Sequence, residues 1–127
     1  MVALLTLLVV VPIAAWLYAK RFAPQFLATV TGVAFGLVIS PMSMGLYGTF
    51  FLHPVGIVTG MIGLASGMFH GPPGFHIARY FGLIPPPGIV EGLALFHVEA
   101  VNALVWATTY GLIGCVVDRL RRSRVAL

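Results

Sequence analysis

Glu99 is the residue whose type and position suggest chemistry most directly, because it is a carboxylate inside a long apolar segment. That segment runs from about residue 89 to residue 117 and also holds Glu91 near its start and Asn102 beyond Glu99. An ionised carboxylate within a bilayer is costly, so it is paired, hydrated or protonated, and it is often functional. Two interpretations of Glu99 stay open: an acid that couples proton movement, or a hydrogen-bonding group between helices.

The polar residues of this segment follow a helical pattern. At 100° per residue, Glu91, Asn102 and Thr109 fall within about 20° of one direction, and Trp106, Glu99 and Tyr110 extend the same side to about 100°. The pattern from His97 to the arginines of the tail is similar to that of many small bacterial inner-membrane proteins. This resemblance implies a location and no particular activity.

Histidines are the other candidate ligands, since imidazole binds haem iron, magnesium of chlorophyll-type pigments, copper and zinc. The chain contains His53, His70, His76 and His97. His53 and His70 lie at opposite ends of one expected helix, so they cannot share a haem, whereas His70 and His97 would approach if their helices paired. Hydrogen bonding near the headgroups is the competing role. The sequence requires no cofactor, and a haem or chlorophyll-type pigment is an alternative.

Catalytic signatures are absent from the sequence. It contains no HExxH, CxxCH or GxSxG motif, no phosphate loop and no glycine-rich dinucleotide turn. Charged residues make up 8% of the chain, against roughly 25% in soluble domains, and the mean hydropathy is +1.05. We therefore expect neither a soluble catalytic domain nor an enzyme, and the net charge of +4 does not indicate a nucleic-acid partner.

Glycines at a spacing of four residues predict close helix packing. Such spacing leaves a groove along one helix face, where another helix approaches within dispersion contact. The pairs are Gly32 with Gly36, Gly56 with Gly60, and Gly63 with Gly67. They predict packing either within the chain or against another subunit.

The apolar segments predict an all-α integral membrane protein. Residues 26–69 contain no Asp, Glu, Lys or Arg, which is enough for two crossings of about 20 residues each. We expect a bundle of four transmembrane helices, with three as the alternative, and a turn at 40–48 around Pro41. The expected spans are about 2–19, 26–46, 49–69 and 89–117, followed by a basic tail at 118–127. A Pro/Gly-rich loop at 70–88, with a short interfacial helix near 75–81, precedes the last span.

The positions of the basic residues and the lengths of the apolar segments favour different numbers of spans. Four spans put both termini in the cytoplasm but leave Lys20 and Arg21 outside. Three spans, with part of residues 26–69 re-entrant, bring that pair and the tail to one side, as the positive-inside rule prefers. Length favours four, which we take as the expectation. The tail arginines, expected to contact anionic headgroups, are Arg119, Arg121, Arg122 and Arg124.

Taken together, these features predict a non-catalytic subunit packed within a larger membrane complex of the respiratory or photosynthetic type. Its partners would be the lipid bilayer and larger membrane protein subunits, in a bacterial inner membrane with the tail in the cytoplasm. One alternative is a small oligomeric proton-coupled transporter or channel that uses Glu99. A further alternative is a haem- or pigment-binding subunit that uses the histidines.

Overall fold

The computed structural model describes residues 2–52, 56–85 and 90–125, and over these ranges the chain is helical without any strand. The all-helical prediction is confirmed at this level. Two short 3-10 segments lie at either end of the second helix. The helices are α1 (Val2–Phe22), α2 (Leu27–Gly48), α3 (Gly56–His70), α4 (Pro72–Tyr80) and α5 (Gly92–Val125).

Two stretches of the described chain are long and apolar enough to cross a membrane. They are Pro24–Phe51, with 28 residues, and Gly92–Arg124, with 33 residues. By contrast α3 has 15 residues and rises only about 22 Å, short of a hydrocarbon core of about 30 Å. The expected bundle of four spans is therefore supported only as an all-helical chain with two candidate crossings.

The second helix continues through the site of the expected hairpin turn. Pro41 lies inside α2, which ends at Gly48, so the prediction of a turn at 40–48 is wrong. An interior proline removes one main-chain hydrogen bond and costs about 3 kcal/mol. Packing of α2 between α3 and α5 offsets that cost. The turn forms later, where Thr49 Oγ1 donates to the Leu46 oxygen at 2.7 Å.

The second and fifth helices pack antiparallel, and glycines without side chains allow their main chains to come into contact. A Cβ on Gly36 would collide with the main chain of Trp106, and one on Gly114 would collide with the Ala28 carbonyl. The contact moves forward along α2 as it moves backward along α5, so the two helices run in opposite directions. This close approach adds dispersion contacts along the crossing.

The third helix runs antiparallel to α2 and ends partway along it. Gly60 faces Phe50 near the turn, and further along Ser66 Oγ lies 2.6 Å from Ser43 Oγ. His70 ends α3 four residues later, about 6 Å deeper. The end of α3 therefore lies about 13 Å from the C-terminal end of α2, measured along its axis.

The fourth helix begins after a single non-helical residue, Gly71, and reverses direction. Pro72 and Pro73 occupy its first turn, where a missing N–H breaks no helical hydrogen bond. Contacts between α4 and α5 begin at Asn102 and then reach Val98. This order makes α4 antiparallel to α5, and α3 and α4 together form a helical hairpin whose tip is Gly71.

The short helix expected near 75–81 is present, but it begins earlier, because Pro72–Tyr80 is helical. The expectation of a loop is therefore wrong for residues 72–74. Prolines read as loop formers instead occupy the start of a helix, a position they favour. The hairpin packs over a small core of Ala78, Ile84 and Val98. The last part of the expected loop, residues 86–89, lies outside the described residues.

Candidate functional site

His70 is the centre of a buried polar cluster at the tip of the α3–α4 hairpin. Its Nδ1 lies 2.8 Å from the Ser66 main-chain oxygen, which can only accept, so Nδ1 carries a proton. Its Nε2 lies 2.9 Å from Tyr110 Oη. In the neutral imidazole Nε2 is therefore the acceptor and the tyrosine hydroxyl the donor. The hydrogen-bond network thus assigns both the tautomer and the direction of this bond.

A pair of serines extends the cluster from α3 to α2. Ser43 Oγ donates to the Ile39 oxygen at 2.6 Å, and Ser66 Oγ lies 2.6 Å from Ser43 Oγ. Because the single Ser43 proton is committed to that carbonyl, Ser66 is the donor of the pair. Ser66 Oγ also lies 3.3 Å from His70 Nδ1. The cluster therefore joins three helices through side chains that all have partners.

Trp106 and Asn102 satisfy main-chain groups where α3 ends and α4 begins. Trp106 Nε1 donates to the His70 oxygen at 2.8 Å. Asn102 Nδ2 donates to the Gly71 oxygen at 3.1 Å, and its Oδ1 accepts from the Gly74 nitrogen at 2.6 Å. Helix ends leave such groups without internal partners, and an unpaired group in lipid costs several kcal/mol. These two α5 side chains therefore allow the hairpin to reverse inside an apolar environment.

The polar groups at the start of α4 already have partners within the chain. Asn102 is 0% exposed, and a Cβ on Gly74 would collide with its amide group. Pro72 and Pro73 bring no N–H to the first turn of α4, and the Gly74 N–H is already bonded to Asn102. The first turn of α4 therefore has no free main-chain N–H group that could bind an anionic substrate.

Glu99 lies apart from this cluster, on the side of α5 that faces Ser40 of α2. Its carboxylate lies near the hydroxyl of Ser40, a residue that is buried. Glu99 Oε2 and His97 Nδ1 are the buried side-chain atoms without a hydrogen-bond partner in the described part of the chain. Glu99 thus contacts a neighbouring helix, through a serine rather than through Asn102 or a histidine.

The three described histidines have separate surroundings. His76 is exposed on α4 beside Phe75, His97 is half-buried on α5, and His53 lies outside the described residues. His70 uses both ring nitrogens within the cluster. Among the described residues, no group of three or more His, Cys, Asp or Glu side chains could hold a metal ion.

The glycine pairs lie against other elements of the same chain. Gly67 is the most open, because a Cβ there would meet Ser43 Cβ at 3.9 Å, an ordinary contact. The other five leave no room for a Cβ: Gly32 and Gly36 against α5, and Gly56, Gly60 and Gly63 against the end of α2 and the turn after it.

The outlying charged residues lie at the surface. Glu91 is exposed just before α5. The guanidinium of Arg122 lies 5.6 Å from the centre of the Phe26 ring, at the start of α2. The tail residues Arg119, Arg121, Arg122 and Arg124 are all exposed.

Asp118 is a residue that sequence reasoning missed. Its buried carboxylate accepts from the Ala28 nitrogen at 3.0 Å, the Thr29 nitrogen at 2.8 Å and Thr29 Oγ1 at 2.8 Å. These N–H groups belong to the first turn of α2, where a carboxylate also meets the favourable end of the helix dipole. The basic residues around Asp118 indicated only a tail that contacts anionic headgroups. A second missed signal was the spacing of four between Ser66 and His70, which places them on one helix face.

No family profile, curated protein or solved structure matches the chain. Function must therefore be argued from the residues and their geometry.

Proposed function

We propose that the chain is a non-catalytic integral membrane subunit that packs within a larger membrane protein complex. The closed cluster at the hairpin tip carries this proposal. Asn102 and Trp106 bind main-chain groups of the tip, and His70 links α3 to α5 through Tyr110. Polar groups matched to one another in this way stabilise one conformation. A catalytic or transport site would instead keep groups available for a substrate.

The outer face of α5 supports a role as a packed subunit. Leu93, Phe96 and Leu104 lie within about 80° of one another around the helix, and they are 70%, 67% and 67% exposed. In a membrane this apolar stripe is covered by lipid or by a helix of another subunit. The proposal assigns this stripe to a helix of another subunit.

Photo-cross-linking from α5 tests this proposal. Leu104→Cys, on a Cys115→Ser background, would carry a photoreactive maleimide in native membranes. We expect adducts to a different polypeptide from position 104. Ala107→Cys is the matched control, because that position is buried against the rest of the chain and should give none. Adducts from position 104 to lipid alone would contradict the proposal.

A proton-coupled transporter is the second candidate, and one observation favours it. Glu99 Oε2 is buried without a partner, and an ionisable group within a membrane is a candidate proton carrier. Proteoliposomes with a trapped pH-sensitive dye separate the two functions. Proton flux in the parent that disappears in Glu99→Gln would favour the transporter, whereas a parent without flux above that of empty liposomes favours the structural subunit.

A further inference from the structure

The basic residues gather at one end of the helical bundle. α1 ends and α2 begins at this end, and α5 finishes there because it runs antiparallel to α2. Arg79 lies at the other end, near the close of α4. The gathered residues are six of the seven Lys and Arg residues of the chain, namely Lys20, Arg21, Arg119, Arg121, Arg122 and Arg124, and all six are exposed.

The α3–α4 hairpin starts and finishes at the end opposite the basic residues. Its tip is about 13 Å deep, measured along α2 from Gly48, within a helix about 32 Å long. The tip therefore lies near the middle of a hydrocarbon core of about 30 Å. A pair of helices that turns at this depth enters a bilayer without crossing it.

Exposed aromatic side chains mark both ends of the hairpin. Phe51 precedes α3, Tyr80 is the last residue of α4, and Phe81 follows it. All three side chains are largely exposed. Aromatic side chains are enriched where a membrane meets water. Because α4 runs antiparallel to α3, residues 51 and 80–81 lie toward the same end of the bundle, as a re-entrant hairpin requires.

We infer that the chain crosses the bilayer three times, through α1, α2 and α5, and that α3–α4 is a re-entrant hairpin. α1 joins the two candidate crossings because its 21 residues are enough for one crossing of about 20 residues. The hairpin enters from the face opposite the six basic residues. By the positive-inside rule those residues face the cytoplasm, and Arg79 and Glu91 lie on the other side. Re-entrant backbone is stable at this depth only when protein buries its free polar groups, and Asn102 and Trp106 supply those partners at the tip. Three crossings also remove the charge conflict of a four-span arrangement.

Single-cysteine labelling with a membrane-impermeant maleimide tests this topology in intact cells and in inverted vesicles. The variants, each on Cys115→Ser, are Gln25→Cys, Phe51→Cys, Leu83→Cys and Ser123→Cys, all at exposed positions. We expect positions 25 and 123 to label only in inverted vesicles and positions 51 and 83 only in intact cells. Each single-sided signal should exceed the opposite one by at least about tenfold, since an inserted chain has one orientation.

Position 83 decides between the arrangements. Labelling of positions 51 and 83 from opposite faces would show that α3 crosses the membrane and would overturn the hairpin. Labelling of positions 25 and 123 from opposite faces would overturn the three-crossing arrangement, and labelling of every position in both preparations would overturn insertion itself. The inference does not depend on a partner subunit, so its failure is distinguishable from failure of the cross-linking experiment.

Discussion

α5 is held at two places by different means. At its crossing with α2, Gly36 and Gly114 bring main chains into contact because side chains are missing. At the hairpin tip, Asn102 and Trp106 hold main-chain groups through side-chain hydrogen bonds. Lipid removes most of the hydrophobic drive for helices to associate, so close packing and paired polar groups are what remain. We therefore expect substitutions that add atoms to destabilise the crossing. Substitutions that remove polar groups should destabilise the tip.

The largest effect is expected from Gly36→Ala. The new Cβ would overlap the main chain of Trp106 and Ala107, which cannot move aside as a flexible side chain could. Overpacking of this kind costs about 3 kcal/mol of unfolding free energy, measurable by denaturant titration in mixed micelles. Gly67→Ala is the matched control on α3, where a Cβ finds an ordinary contact. Equal losses in the two variants would contradict the glycine account of the crossing.

Asn102→Leu should be the most damaging change at the tip. It removes the partner of the Gly74 N–H, and a buried unsatisfied group costs about 2 kcal/mol. The Gly71 oxygen loses the Asn102 amide but still accepts from the Phe75 nitrogen at 3.4 Å. Thr108→Val is the control on the same helix, because that exposed hydroxyl bonds only to Leu104 of its own helix; it should change stability by less than about 0.5 kcal/mol. Faster amide hydrogen exchange at Gly74 in Asn102→Leu, but not in Thr108→Val, would show that the loss of stability arises at the tip. Unchanged stability and exchange in Asn102→Leu would show that Asn102 does not stabilise the tip.

Asp118→Ala should have a smaller effect, of about 1 kcal/mol, the usual loss when a helix N-terminus loses its capping side chain. Asp118→Asn keeps one acceptor oxygen and should lose less. The change should concentrate at the Ala28 and Thr29 amides, which bond to the carboxylate. Amide hydrogen exchange that is unchanged at these two residues would exclude a capping role.

The smallest effect is expected from Tyr110→Phe. This change removes one hydrogen bond to His70 Nε2 and keeps the aromatic ring that packs on Phe35. Interhelical hydrogen bonds in membranes contribute about 0.6 kcal/mol on average. A loss above that for Asn102→Leu would mean that the imidazole, rather than the amide, holds the tip.

Some of this arrangement could be predicted from the sequence, because helical class and apolar segments follow from local composition. The spacing of Gly32 and Gly36 predicted close packing, and both glycines do lie against α5. Pro41 was misleading because packing on both sides of α2 outweighs a local cost. Contacts between residues far apart in sequence, such as Asp118 with Thr29, leave no local pattern, and the reversal at Gly71 was hidden for the same reason.

The most direct test of the central claim is the native mass of the particle that contains the chain. Extraction in a mild detergent, followed by native mass spectrometry, reports both size and composition. If the chain is a subunit of a larger complex, we expect a particle far larger than the 13.6 kDa chain. It should contain at least one different polypeptide in a fixed ratio to this chain. A particle that contains only this chain, as a monomer or as a homo-oligomer, would contradict the proposal and favour a transporter.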